Sequence, residues 1–217
     1  MSWTCLHNDQ GRCSRRRASC TPGATGCVLE GQVILMSPPS SQDAFQGGQD
    51  DRLSDRRESV IDAMKRVFGT DQRRIDHALR VLAFAETLLV REPGQRDVVV
   101  AAAILHDIGI HEAERKHGSA AGRYQEIEGP PIAETILRTL GFDTETVDHV
   151  CRIIANHHSA RDIDTPEFRI IWDADWLVNL PEEYSSLPRD RLAQTVAKVF
   201  RTDSGRNLAR SLYLEDG

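Results

Sequence analysis

Residues 98–109 read VVVAAAILHDIG, and this stretch decides how the rest of the chain is interpreted. The segment from Val98 to Leu105 is apolar on every side, which is typical of a helix in the middle of a protein core. His106 and Asp107 follow directly, and the helix is expected to end at Gly109. Burying a histidine and an aspartate there costs free energy unless something satisfies both side chains. A metal ion would satisfy them.

Apolar residues recur with helical spacing in most of the chain outside this stretch. The stripe from Ile75 to Leu89 predicts one helix, capped by Thr70 or Asp71. Further helices are predicted to start at Gly129-Pro130-Pro131 and to span residues 144–158, 166–180, 188–201 and 204–213. No sustained run alternates with a period of two. The predicted fold class is therefore all-α, a bundle of about seven to nine helices.

The composition excludes two classes of partner. The 217 residues carry a net charge of -6, with a pI near 5.8 and a mean hydropathy of -0.42. No run approaches the roughly 18 uninterrupted apolar residues that a membrane helix needs, so no membrane association is expected. Binding an extended nucleic acid requires clustered Lys and Arg. This acidic chain is therefore expected to have no extended nucleic-acid surface.

The amino-terminal segment, residues 1–36, is rich in cysteine and lacks the apolar core and cleavage site of a signal peptide. The protein is therefore expected in the cytoplasm, where thiols are kept reduced. We predict that the segment is an irregular module that binds Zn²⁺ or an iron–sulfur cluster. Its candidate ligands are Cys5, Cys13, Cys20 and Cys27, with His7 as an alternate. Four unconnected thiols are the alternative interpretation.

A polar segment, SPPSSQDAFQGGQD, follows at residues 37–50. Its Ser, Pro, Gly and Gln residues bury too little apolar surface to order themselves, so it is predicted to be a linker. The domain organisation is therefore a Cys-rich module over residues 1–36, a linker over 37–50 and a helical domain over 51–217.

Metal-ligand residue types also occur in two later helices, where the pattern predicts burial. The apolar stripe of residues 147–154 runs directly into His157 and His158, so at least one of them is expected to face inward. Asp175 has apolar residues three and four positions away, whereas Asp173 has an arginine there. Asp175 is therefore predicted to be the more buried of the two and the better ligand, with Asp173 as the alternative.

These candidate ligands follow one another in a distinctive order: His77, His106-Asp107 within LHDIG, His157-His158 within ANHH, and Asp175 within WDADWL. Over about residues 55–180, the order resembles the HD superfamily of metal-dependent phosphohydrolases. The resemblance implies that His77, His106, Asp107 and Asp175 bind a divalent metal, and that His157 and His158 serve a second one. Mn²⁺, Fe²⁺, Ni²⁺, Co²⁺ and Zn²⁺ suit such a set of imidazoles and carboxylates. His106 and Asp107 would form the catalytic centre, with Asp107 helping to accept the proton of the attacking water.

His77 enters the predicted site through the resemblance alone. The residues three and four positions from it include Arg73, Arg74 and Arg80. Periodicity by itself would therefore place His77 on a solvated flank of its helix.

One subfamily of the HD superfamily does not fit this chain. Enzymes that cleave cyclic dinucleotides carry a further histidine after the doublet and a Gly-Tyr-Pro string after the paired histidines, and neither is recognisable here. In their place the chain reads YQEIEGPPIAETIL, where Glu126 or Glu128 is a candidate oxygen ligand. Cleavage of cyclic dinucleotides is thus disfavoured.

The resemblance implies hydrolysis of a small phosphorylated molecule, a phosphomonoester or phosphodiester, with nucleotides as one candidate class. Arg80, Lys116 and Arg161 lie near the ligands in sequence and are candidate phosphate-binding residues. Two alternatives remain open. The same ligands hold a di-iron centre that activates oxygen in some relatives of the superfamily, and a non-catalytic metal or redox sensor is the third possibility.

Overall fold

The computed structural model describes residues 8–9, 12–13, 18–19, 47–184 and 187–215, which divide between two compact units, Met1–Asp50 and Asp51–Gly217. In the first unit, strands β1 (Asn8–Asp9), β2 (Arg12–Cys13) and β3 (Ala18–Ser19) form an antiparallel sheet in that order. These short strands stand in the segment predicted to be irregular. The predicted ligands Cys5, His7, Cys20 and Cys27 lie outside the described residues, as does the linker over residues 37–46.

The described part of the chain contains nine helices, which confirms the prediction of an all-α fold. They are α1 (Gly47–Phe68), α2 (Gln72–Leu89), α3 (Arg96–Leu105), α4 (Ile110–His117), α5 (Gly122–Thr139), α6 (Thr144–Ile154), α7 (Pro166–Glu183), α8 (Arg189–Val199) and α9 (Asp203–Tyr213). Helix α1 begins inside the segment predicted to be a linker. Among these helices, none combines the length and the apolar content needed to cross a bilayer.

Helix α3 lies at the centre of the second unit. It packs against α2, α6 and α7, and every residue from Val98 to Leu105 is buried. Each buried Val, Ile or Leu side chain contributes about 1.5–3 kcal/mol to folding. Because other helices enclose α3 on several sides, an apolar sequence around its whole circumference is what this position requires.

The helix predicted to end at Gly109 ends at Leu105 instead. Ile108 N–H donates to Leu105 C=O at 3.0 Å, and Ile110 N–H donates to Asp107 C=O at 3.1 Å. These hydrogen bonds join residues three apart, so the chain turns tightly before α4 begins at Ile110. His106 and Asp107 therefore lie in the turn between α3 and α4.

The prediction that a helix starts at Gly129-Pro130-Pro131 is wrong, because these residues lie inside α5. Each proline removes one N–H donor from the helix. Close packing outweighs that loss: a Cβ on Gly129 would lie 2.7 Å from Ile154 Cγ2, and a Cβ on Gly109 would lie 2.5 Å from Gly129 N. Helix α5 is thus held against α6 and against the turn before α4.

Candidate metal centre

Four polar side chains from three parts of the fold meet beside the carboxyl end of α3. His77 comes from α2, His106 and Asp107 from the α3–α4 turn, and Asp175 from α7. His77 Nε2 lies 3.1 Å from Asp175 Oδ1 and 3.6 Å from Asp107 Oδ2. His106 Nε2 lies 3.2 Å from His77 Nε2 and 3.7 Å from Asp107 Oδ2. The mutual packing of α2, α3 and α7 brings these groups together.

A second group of ligand atoms adjoins the first through Asp107. His157 Nε2 lies 3.4 Å from Asp107 Oδ1, the oxygen that the first group does not use. The rings of His157 and His158 lie 4.0 Å apart between centroids. Ligand atoms of Asp107, His157 and His158 all lie within 4.8 Å of one another, as do those of His77, His106 and Asp107. Asp107 is thus common to both groups.

The arrangement fits metal ions better than it fits hydrogen bonding among the side chains themselves. His106 Nδ1 lies 2.9 Å from Ala103 C=O, and His157 Nδ1 lies 2.7 Å from Ile154 C=O. Donation from each Nδ1 to its carbonyl leaves Nε2 with a lone pair, and the buried His157 Nε2 has only the long 3.4 Å contact with Asp107 Oδ1. Ligands bound at about 2.0–2.2 Å to one metal lie about 3.0–3.5 Å from one another, close to the spacing of the first group.

The protonation states of Asp107, His106 and His158 favour metal binding. Burial raises the pKa of a carboxyl group, but the neighbouring His106 and His157 hold the pKa of Asp107 well below its usual range. Burial lowers the pKa of His106, and burial together with the charge of His157 lowers the pKa of His158 to about 4. An ionised carboxylate and neutral imidazoles are the protonation states that bind divalent metals.

Two further imidazoles have raised pKa values. Burial lowers the pKa of His77, but its hydrogen bond to Asp175 and the charge of Asp107 raise that pKa overall. In the same way, Asp107 outweighs burial and raises the pKa of His157. A metal ion would therefore compete with protons at these two rings.

The structure separates the two aspartates that the sequence leaves as alternatives. Asp175 faces His77, whereas Asp173 accepts hydrogen bonds from Arg201 N at 2.7 Å, Thr202 N at 2.8 Å and Thr202 Oγ1 at 2.7 Å. The prediction that Asp175 is the more buried is wrong, because Asp173 is 0% exposed and the Asp175 side chain is 18% exposed. Asp173 is buried because it anchors the loop before α9.

The two candidate glutamates of α5, Glu126 and Glu128, are not brought into either group of ligand atoms. Glu128 accepts hydrogen bonds from Lys116 Nζ at 2.6 Å and lies 2.9 Å from His117 Nε2. Glu126 accepts from the backbone N–H groups of His158 and Ser159. Both carboxylates are thus engaged with groups of the protein itself.

A cleft of about 470 Å³ opens onto the centre, which is the size of a small-molecule site. Arg73, Arg74 and Arg80 line it, because residues four before, three before and three after His77 share its helix face. Of the predicted phosphate-binding residues, Arg80 lines this cleft, whereas Lys116 pairs with Glu128 and Arg161 is exposed outside the lining.

Four polar residues that line the cleft are not among the predicted site residues: Arg73, Arg74, Gln125 and Asn179. The spacing of the two arginines from His77 was a usable signal once His77 was placed in the site. Asn179 lies four residues after Asp175 on α7 and donates a hydrogen bond to it at 2.8 Å, so its spacing was a usable signal too. Gln125 reaches the cleft from α5, and no local pattern marks it.

Comparison with known proteins agrees with this geometry. The HD domain family matches residues 74–180, a range that includes every residue of both ligand groups. A crystal structure of a predicted HD superfamily hydrolase from an uncultured Thermotogales bacterium is similar over 72% of this chain and 84% of that chain, with 25% identity and a TM-score of 0.53. No curated protein matches the chain significantly. Residues 74–180 form an HD domain, and the chain is an HD-domain protein.

Proposed function

We propose that this protein is a metal-dependent hydrolase of a small phosphorylated molecule, with nucleotides as one candidate class. The observation that carries the proposal is the position of Asp107, which joins two groups of metal-ligand atoms at a cleft lined by arginines. The solved relative from the Thermotogales bacterium is described as a predicted hydrolase, which supports the same reaction class.

The charge of the cleft favours a phosphate group as the part of the substrate that binds. Arg73, Arg74 and Arg80 line one wall, and guanidinium groups bind phosphate oxygens through paired hydrogen bonds. Gln125 and Asn179 add neutral amides to the same lining. The cleft volume of about 470 Å³ suits a ligand of nucleotide size rather than a polymer.

Divalent ions bound by these residues would supply a Lewis acid for the phosphoryl group and lower the pKa of the attacking water. The chain itself orients the ligands, because the carbonyls of Ala103 and Ile154 accept from His106 and His157. Asp107 is ionised, so a carboxylate oxygen can accept a hydrogen bond from the water. The arginines would bind the phosphate oxygens at the cleft wall and offset the charge that develops as the ester bond breaks.

The test is a panel of phosphate esters, assayed with chelator-treated protein and added Mn²⁺, Ni²⁺ or Mg²⁺. The panel includes nucleoside monophosphates and diphosphates, sugar phosphates and a phosphodiester. We expect turnover of at least one ester, and Asp107→Ala should abolish it. Arg74→Gln should lower kcat/KM by about tenfold or more, mainly by raising KM. Arg66→Gln is the matched control, since Arg66 is exposed and does not line the cleft.

The same assay separates the alternatives. A di-iron oxygenase requires iron and molecular oxygen, so turnover of a phosphate ester with Mn²⁺ in oxygen-free buffer would exclude that function. A non-catalytic sensor would bind the metal and turn over no member of the panel. Absence of hydrolysis across the panel with every metal would refute the proposed function.

A further inference from the structure

The paired histidines of the centre lie in the turn after α6, and one face of α5 holds that turn. Gly122 and Glu126 are four residues apart on α5, so they share a helix face. A Cβ on Gly122 would meet the ring of His158, and Glu126 accepts hydrogen bonds from the backbone N–H groups of His158 and Ser159. Neither residue belongs to the ligand groups.

Gly122 leaves the space that the ring of His158 occupies. A Cβ at this position would lie 2.6 Å from Cδ2 and 2.7 Å from Cγ of that ring, whereas carbon atoms in contact lie about 3.5–4.0 Å apart. The backbone of Gly122 is helical, so no unusual conformation requires a glycine here. A glycine is a poorer helix former than alanine. The position of the imidazole is therefore the physical reason for a residue without a side chain.

Glu126 fixes the backbone that carries the ring. Its Oε1 accepts hydrogen bonds from His158 N at 3.1 Å and from Ser159 N at 2.7 Å. One carboxylate oxygen therefore holds two consecutive amides that follow the end of α6. The backbone held by Glu126 and the space left by Gly122 together place the exposed His158 ring beside that of His157, with 4.0 Å between ring centroids.

We infer that Gly122 and Glu126 are positioning residues that hold His158 as a ligand of a second metal ion. The inference rests on the proposed metal-dependent function but concerns ion binding, not the choice of substrate. Displacing the ring should weaken the ion bound by Asp107, His157 and His158. The ion bound by His77, His106, Asp107 and Asp175 should remain, because its ligands come from α2, α7 and the turn after α3.

The test is calorimetric titration of the full chain, stripped with chelator, with Mn²⁺. This ion prefers carboxylate and imidazole to thiolate, so the amino-terminal cysteines contribute little. We expect two bound ions in the wild type. Gly122→Ala and Glu126→Ala should lower the affinity for one of them at least tenfold and leave the other unchanged. At the same Mn²⁺ concentration, electron paramagnetic resonance should show the signal of a coupled Mn²⁺ pair in the wild type but not in Gly122→Ala or Glu126→Ala.

Two matched controls and one rescue distinguish positioning from a general loss of structure. A Cβ on Gly94 would have contacts of 3.4–3.5 Å, so Gly94→Ala should bind both ions. Glu134 is an exposed residue of α5 that pairs with Arg138, so Glu134→Ala should do the same. Glu126→Gln should restore the second ion, because an amide oxygen also accepts from both N–H groups.

The inference would be overturned if Gly122→Ala or Glu126→Ala bound two ions with wild-type affinities. It would also be overturned if the wild-type chain bound a single ion. If Gly122→Ala fails to fold by circular dichroism, the comparison of Glu126→Ala with Glu126→Gln decides the question. A wild type that binds two ions but hydrolyses no phosphate ester would refute the proposed function and leave this inference intact.

Discussion

The contact between Gly109 and α5 allows a quantitative test of how tightly the fold holds its metal centre. Gly109 follows Asp107 by two residues and lies directly before α4. A Cβ there would lie 2.5 Å from Gly129 N, 2.8 Å from Gly129 Cα and 2.9 Å from Gln125 O. All three neighbours are backbone atoms of α5. They cannot move aside by a change of rotamer.

The expected cost of Gly109→Ala follows from this geometry. Atoms in contact lie about 3.5–4.0 Å apart, so α5 has to retreat by about 1 Å. Such overpacking costs about 1–3 kcal/mol, and the upper end applies because only backbone is in the way. The φ of -80° and ψ of -8° at Gly109 suit alanine. Because alanine reduces the conformational entropy of the unfolded chain, it offsets about 0.4–1 kcal/mol of this cost. We expect a net loss of about 2 kcal/mol.

Urea unfolding followed by circular dichroism at 222 nm measures this loss. In a unit of this size, about 2 kcal/mol corresponds to a fall in Tm of about 4–8 °C. Gly94→Ala is the control, because its Cβ would have contacts of 3.4–3.5 Å and should change stability by less than about 0.5 kcal/mol. If the two variants proved equally stable, the close approach of Gly109 to α5 would not exist in solution.

Three further predictions concern other parts of the chain. Asp173→Ala should lower the free energy of unfolding by about 3 kcal/mol or more, because it leaves three donors without an acceptor, and it should leave Mn²⁺ binding intact. Asp175→Ala should weaken Mn²⁺ binding and change the free energy of unfolding much less. The reverse pattern in the two variants would make Asp173 the ligand. Burial raises the pKa of Cys151 to about 11, so its thiolate is scarce at pH 8 and becomes common only as the pH nears that value. Mass spectrometry should therefore find Cys151 alkylated by iodoacetamide at least about 100-fold more slowly than an exposed cysteine at pH 8, and equal rates would contradict its burial. Removal of residues 1–46 should leave the helicity and the Mn²⁺ binding of the second unit unchanged. It should abolish an additional Zn²⁺ or iron–sulfur site at the amino-terminal cysteines. Loss of Mn²⁺ binding by the second unit, or an equal Zn²⁺ and iron content before and after removal, would contradict two independent modules.

Much of the site could be predicted from the order of its ligands along the chain. His106 and Asp107 stand out because two polar residues end a wholly apolar helix. Their partners His157 and His158 follow an amphipathic helix. His77 shows the limit of periodicity. The arginine-rich side of α2 that carries His77 faces the cleft. Because the wall of a cleft and an open surface are both polar, the spacing of polar residues does not distinguish them.

The sequence by itself determined that the domain is all-α and which residue types could form the candidate centre, because helical periodicity and residue type are local properties. Only the tertiary structure decided which residue does what. Asp173 and Asp175 have the same side chain, and the loop about 28 residues further along makes one of them an anchor. The paired prolines usually start a helix, yet packing of Gly129 on Gly109 and Ile154 carries α5 through them. Such close approaches join residues far apart in sequence, and no local pattern encodes the distance between them.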